Sequence, residues 1–378
     1  MKKVLLIAEA MLGGIRQHVF DIAQGLDKKE FEVYLIYSDK RADDKFFEGI
    51  NEVGKSVKLI KCNEMERSIG LHDIKAYRKV KQHIKEIQPD VVHCHSSKAG
   101  IVGRLAAKNC KVPLILYTPN AYAFQSPDLS DIKKKIYIYA ERYLSRKACS
   151  MTINVSKGEM NKALEYKIDV PEKFTLIYNG IPEIDLPDKE ILKEKIGLKK
   201  NVKYVGFTGR CAKQKDPMTF LEIAKQVITK RDDTEFIYIG DGELQEQMQE
   251  WIINNNLTDK IHMLGFRNDS AEIVGAFDVY LSTALYEGLP YSMIEAMRAG
   301  VPIIATDCIG NNELVLEGIN GHLFPLGDEN RGFVLILKQI DYKEITVNMV
   351  INTFKSEFSL KRMIEKISNI YMQVDTLQ

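Results

Sequence analysis

Glu287 and Glu295 stand eight positions apart in the segment LSTALYEGLPYSMIEAMRAGV, Leu281 to Val301. The segment reads as a strand ending in small polar residues (Asp278 to Thr283), a loop carrying Glu287 and Gly288, and a helix over Tyr291 to Ala299. Pro290 sits near the first helical position, and Gly300 and Pro302 stop the helix. Such a junction in a parallel sheet leaves free backbone N–H groups and the positive end of a helix at the carboxyl edge of the strands, where anions bind. A carboxylate accepts two hydrogen bonds from a diol. Two carboxylates flanking a phosphate-binding helix start therefore suit a nucleotide-sugar, with the ribose at one end, the hexose at the other and the phosphates between. The same spacing also fits two solvated glutamates on an amphipathic helix.

Cations follow another predicted strand, in Gly209-Arg210-Cys211-Ala212-Lys213-Gln214-Lys215. Arg210 offers a planar fork for phosphate oxygens, and Lys215 or its neighbour Lys213 a point charge. At the mouth of a strand they could neutralise a departing diphosphate; on composition alone they are a solvated basic loop. Ile239-Gly240-Asp241-Gly242-Glu243-Leu244 is a further strand, glycine turn and helix, where Gly242 would let backbone approach a base or ribose. In the first half, Gly13-Gly14 forms a strand-to-helix turn. His93 and His95 alternate on one strand and share a face, but no third metal ligand accompanies them.

These residues need a frame. Strands at Val4–Ala8, Phe31–Tyr37, Val57–Ile60, Asp90–Cys94, Leu114–Thr118, Met151–Asn154 and Phe174–Ile177 alternate with helices, the pattern of βαβ units and a parallel sheet covered on both faces. A polar linker, 183–198, follows. The second half repeats the pattern with strands Tyr204–Thr208, Glu235–Ile239, Ile261–Leu264, Val279–Ser282 and Ile303–Ala305. The expectation is an α/β protein of two doubly wound, Rossmann-like domains facing a cleft. They would span 1–182 and 183–358, with 359–378 as a final amphipathic helix.

At 378 residues, 45% hydrophobic and 28% charged, the chain suits two ordinary globular domains. The start, MKKVLLIAEAM, has a basic tip and an apolar run, but Glu9 and Gly13-Gly14 make it a first strand rather than a signal peptide. Six scattered cysteines without a Cys-x-x-Cys pair fit reduced thiols in the cytoplasm. Net charge is +1, unevenly spread: Met1 to Gly180 holds 31 Lys and Arg against 22 Asp and Glu, a balance of +9, and the remainder stands at −8. The first half is expected to meet something anionic, whether nucleic acid, a membrane surface or a pyrophosphate-linked lipid. The stretch SDIKKKIYIYAERYLSRKA, Ser130 to Ala148, reads as a basic, aromatic-rich helix that could lie on an anionic membrane or pack into a core. No recognised nucleic-acid motif accompanies it.

The run E-G-L-P-x-S-x-x-E-A-M-x-A-G-x-P-I-I-A, Glu287 to Ala305, resembles the paired-glutamate motif of the retaining GT-B glycosyltransferases usually called family 4. G-R-x-x-x-x-K from Gly209, G-D-G-x-L from Gly240 and H-x-H-S-S-K-A-G from His93 are similar to the family's other blocks, in the expected order. The resemblance implies a GT-B fold whose last helix crosses back to the first domain, and metal-independent hexosyl transfer from a nucleotide-diphosphate sugar. Domain closure about the linker would exclude water. The donor would be held by Gly14, Arg210, Lys215, Gly242, Phe266, Arg267, Glu287, Gly288, Leu289, Pro290 and Glu295. Glu287 would hold the hexose and Glu295 the ribose. The catalytic set would be Glu287, Arg210 and Lys215 with His95 and Asn120, His95 lying at the mouth of the cleft near the acceptor. Similar enzymes usually have histidine at the position of Asn120, and an amide does not titrate near neutral pH. No cofactor is expected. The expected partners are the nucleotide-sugar, UDP- or GDP-linked, a saccharide or undecaprenyl-diphosphate-linked acceptor in bacterial surface polysaccharide synthesis, and an anionic membrane at the inner face of the plasma membrane, with no nucleic acid. A nucleotide-sugar epimerase or hydrolase of the same fold, or a non-catalytic binding partner, stays open.

Overall fold

In the computed structural model, the structure describes residues 1–66, 70–125, 129–287 and 289–376. They form two compact units, Met1–Asn179 with Leu360–Gln378, and Gly180–Ser359.

The first unit is built on a seven-stranded parallel sheet: β1 (Lys2–Ala8), β2 (Phe31–Tyr37), β3 (Lys58–Lys61), β4 (Val91–His95), β5 (Leu114–Thr118), β6 (Met151–Asn154) and β7 (Phe174–Leu176). The order is β3-β2-β1-β4-β5-β6-β7, so it reverses direction between β1 and β4. Val4, Leu5, Leu6 and Ile7 are all fully buried. A strand covered on both faces must be apolar at every position. Val4 and Leu6 pack in one layer with Val19, Ile22 and Ile367, while Leu5 and Ile7 pack in the other with Val80, Ile84 and Val102.

The final helix, Leu360–Met372, joins the first of these layers, burying Met363, Ile364, Ile367, Ile370 and Tyr371. Gly25 makes room for it: a Cβ there would sit 2.7 Å from Ile364 Cγ1. Tyr371 OH lies 2.7 Å from His93 Nδ1. The expected return of the last helix to the first domain is what the chain does.

The second unit carries β8 (Lys203–Thr208), β9 (Thr234–Ile239), β10 (Ile261–Met263), β11 (Val279–Ser282), β12 (Ile303–Thr306) and β13 (Gly321–Phe324), all parallel, in the order β10-β9-β8-β11-β12-β13. Its switch point lies between β8 and β11. Strand β13 is not foreseen from the sequence; GHLF has neither alternation nor a branched run to betray it.

The expected linker is also different. Lys189–Lys195 is a helix capped by Asp188, with Leu192 and Lys193 buried. The Lys193 ammonium donates to the carbonyls of Lys200 (3.1 Å) and Val202 (3.2 Å). Residues Gly180 to Pro182 group with this unit, where Ile181 N donates to Phe358 O at 3.0 Å. No described helix is long and apolar enough to cross a membrane.

Candidate active site

The switch point of the second sheet is where an open α/β sheet binds ligands, because adjacent loops diverge there and leave a crevice. The loop after β8 carries Arg210 and Lys215, and the loop after β11 carries Glu287. Both line one cleft of about 430 Å³, as do Phe266, Arg267, Leu289, Pro290 and Glu295. The paired acids and paired cations picked out in the sequence thus converge on one cavity in one unit.

The two loops are tied to each other. Leu285 N donates to Gln214 O at 2.9 Å, and Gln214 Nε2 donates to Tyr286 O at 3.0 Å and to Glu287 Oε2 at 3.3 Å. The Thr283 hydroxyl reaches the carbonyls of Lys215 (2.9 Å) and Asp216 (2.8 Å). The Lys215 ammonium pairs with Glu287 Oε1, and their side chains keep only 15% and 8% of their exposure. Arg210 is exposed and finds no carboxylate among the described residues; its carbonyl accepts from Tyr238 OH at 3.0 Å.

The backbone of Glu287 is pinned from behind. Glu287 N donates to Ile309 O at 2.8 Å, and Gly310, at φ +93°, lies so close that a Cβ would stand 2.7 Å from Glu287 O. Only glycine meets both the conformation and the clearance.

The helix Tyr291–Arg298 starts at Pro290 with no side-chain cap and no acidic residue in its first turn, and Pro290, Tyr291 and Ser292 bring its positive end to the cleft. Beneath it, Tyr280 OH lies 2.9 Å from Ser292 Oγ and donates to Thr208 O at 3.1 Å, joining β8 to the helix start. Glu295 is largely enclosed. Burial raises its carboxyl above the usual range, and Arg298, one turn on, pulls the other way.

Some expected roles read differently in the structure. Gly242 does not line the cleft: its φ of +147° and missing Cβ accommodate the Cys211 carbonyl, which a Cβ would approach to 2.7 Å. Asp241 lines the cleft instead. The Arg267 guanidinium is held by Asp269 through bonds of 2.9 and 3.1 Å. Phe266, expected to hold the donor, does line the cleft and is 68% exposed at its rim. Gly288 lies outside the described residues.

Gly14, His95 and Asn120 belong to the first unit. Gly14 is exposed in the first turn of the helix Gly13–Gly25. His95, expected at a cleft mouth, is fully buried, its ring 4.1 Å from His93 and 5.4 Å from His18. Burial drives all three imidazoles toward the neutral form, His18 down to about 4. His93 spends its other nitrogen on Thr118 Oγ1 at 2.8 Å, so both ring nitrogens of that histidine are engaged inside the protein. Asn120 takes a left-handed backbone, φ +51°, at the end of β5.

Sequence reasoning misses Gln214, Gly310 and Tyr280. Gln214 adjoins Lys215 in the same turn, and Gly310 marks a strand-to-helix turn, so both carry a readable signal. Tyr280 looks like any core aromatic.

Two parallel doubly wound units, one with a cleft of acids and cations at its switch point, are the architecture expected of the GT-B class. Residues 12–183 match the family described as Glycosyltransferase Family 4, and residues 188–341 match Glycosyl transferases group 1. A UDP-Gal:alpha-D-GlcNAc-diphosphoundecaprenol alpha-1,3-galactosyltransferase of Escherichia coli is 30% identical over 96% of this chain and 95% of its own length. The alpha-monoglucosyldiacylglycerol synthase of Acholeplasma laidlawii is 23% identical over 84% and 83%. Among solved structures, a glycosyltransferase from Rickettsia africae superposes with a TM-score of 0.81 at 19% identity, covering 99% of this chain and 98% of that one. Anabaena HepE in complex with UDP gives 0.75 at 20%, covering 98% and 100%. The chain belongs to the family 4 glycosyltransferases.

Proposed function

We propose that this glycosyltransferase moves a hexose or N-acetylhexosamine, with retention and without a metal ion, from a UDP-sugar to a saccharide on a lipid diphosphate. The step would serve bacterial surface polysaccharide synthesis at the inner face of the plasma membrane. The observation that carries the reading is the convergence of Arg210, Lys215, Glu287 and Glu295 on one cleft of about 430 Å³. Arg210, Lys215 and the positive end of the helix Tyr291–Arg298 supply the charge that a leaving diphosphate needs, the work a divalent cation does elsewhere. Glu295 accepts from the ribose hydroxyls and Glu287 from the hexose. Transfer takes place on one face of the sugar, with the departing phosphate drawing the proton from the acceptor hydroxyl. The acceptor class is supported by the Escherichia coli relative, whose name specifies a diphosphoundecaprenol-linked sugar, and by the +9 balance of the first half.

The test is a panel of UDP- and GDP-sugars, first by thermal shift and then with a polyprenyl-diphosphate N-acetylhexosamine, with EDTA present throughout. A UDP-sugar raises the melting temperature, and the product carries the donor's anomeric configuration. Donor consumed at the same rate without acceptor would favour a hydrolase or epimerase. Binding without turnover of any donor would favour a non-catalytic partner, and inversion would refute retention.

A further inference from the structure

We infer that the donor's diphosphate and Glu287 compete for one cation, Lys215, and that Gln214 keeps Glu287 in register during the exchange; the inference rests on the donor reading above. Glu287 divides its carboxylate, Oε1 against the Lys215 ammonium and Oε2 at 3.3 Å from Gln214 Nε2. With 15% and 8% of their side-chain exposure left, the paired groups are largely out of water, where attraction is weakly screened. An arriving diphosphate therefore meets Arg210 exposed and unpaired among the described residues, but meets Lys215 already neutralised.

To use Lys215, the diphosphate must displace Oε1. An enclosed carboxylate oxygen without a donor is costly, and a hexose hydroxyl arriving on the same ligand offers that donor. Gln214 is fixed to the loop independently of Glu287, through Tyr286 O at 3.0 Å and through its own carbonyl to Leu285 N at 2.9 Å. Oε2 thus acts as the pivot and Oε1 as the arm that turns from lysine to sugar. The exchange makes Lys215 available to the diphosphate and Glu287 available to the hexose in one step. It also sets a cost on binding the nucleotide without its sugar.

Calorimetric titration with UDP, and with GDP as a second probe, tests the exchange. Glu287→Gln binds UDP about fivefold tighter than wild type or better, because the competing charge is gone. Lys215→Gln binds UDP more weakly. In the Lys215→Gln background, Glu287→Gln changes UDP affinity by less than about twofold, since double-mutant coupling reports the pair itself. Near-ultraviolet circular dichroism of each variant confirms that it is folded. Gln214→Ala lowers kcat roughly tenfold while the donor KM moves much less, as expected of a residue that orients Glu287 for the transition state.

Wild-type protein that binds neither UDP nor GDP overturns the donor reading, and the exchange with it. Wild-type protein that binds UDP while Glu287→Gln gains nothing overturns the exchange alone. So does a gain that persists without Lys215, which would be plain repulsion. An unchanged kcat in Gln214→Ala removes Gln214 from the proposal.

Discussion

Glu287 owes its position to residues that do no chemistry. Its amide is held by Ile309 and its carbonyl lies over Gly310, where no Cβ fits. Gly310→Ala is expected to push the loop outward and to strain the backbone at φ +93°, costing about 1–3 kcal/mol. Donor affinity, read by titration, should fall roughly tenfold through misplacement of Glu287. This residue marks a limit of what the sequence displays. Arg210, Lys215, Glu287 and Glu295 could be picked out because charged groups at the ends of predicted strands suit a phosphate and two diols. Gly310 shows in the sequence only as a glycine turn; its tie to the site lies in the clearance to a loop more than twenty positions earlier in the chain. Gly242 is alike: the sequence suggests a tight glycine approached by ligand, and in the structure its missing Cβ makes room for Cys211.

At the scale of elements, the helix Asp131–Ala148 divides its apolar residues between core and surface. Tyr137 and Ile138 pack against the core, while Ile132, Ile136, Tyr139 and Tyr143 are exposed at spacings of four, three and four, one face of a helix. The basic residues divide likewise. Arg142 and Arg146 cap the carbonyls of Tyr166, Lys167 and Ile168, whereas Lys133, Lys135 and Lys147 remain exposed. An apolar stripe edged by lysines suits an anionic bilayer surface. Ile132→Glu with Tyr139→Glu is expected to cut flotation with phosphatidylglycerol liposomes several-fold, and neutral liposomes should recruit little protein either way.

The sequence disclosed this helix but not which side it leaves bare, since that depends on what the neighbouring elements cover. The helix Lys189–Lys195 was hidden differently. KEILKEK reads as solvated linker because charge normally signals water, yet Lys193 is buried with its ammonium tied to two carbonyls. The final helix was plain, its apolar residues recurring at helical spacing. Its anchor was not: Tyr371 and His93 lie 278 positions apart and share a buried hydrogen bond. Tyr371→Phe leaves His93 Nδ1 without its partner and should cost about 1–3 kcal/mol in denaturant unfolding.

For the molecule as a whole, three buried histidines set a pH limit. Burial brings His18 down to about 4 and holds His93 and His95 well below the usual imidazole range. A histidine depressed in the folded state contributes stability above its unfolded value of about 6.5. Below that, the unfolded chain binds protons that the folded chain refuses, so stability falls with pH until the folded group also titrates. The melting temperature should therefore drop as pH falls from about 6.5 toward 4. Each histidine contributes a slope of up to about 1.4 kcal/mol per pH unit. His18→Gln should flatten the profile, and a profile level across that window would show the rings to be hydrated.

The two-domain α/β architecture was legible because buried parallel strands are apolar at every position and their helices are long enough to recur. The first unit is assembled from both ends of the chain. That division has a consequence for biosynthesis. The core layer containing Val4, Leu6 and Val19 is closed by Met363, Ile364 and Ile367. On the ribosome, the first unit must wait with one face uncovered until translation of the second has finished, and a fragment ending near residue 182 would emerge from the exit tunnel lacking its own lid.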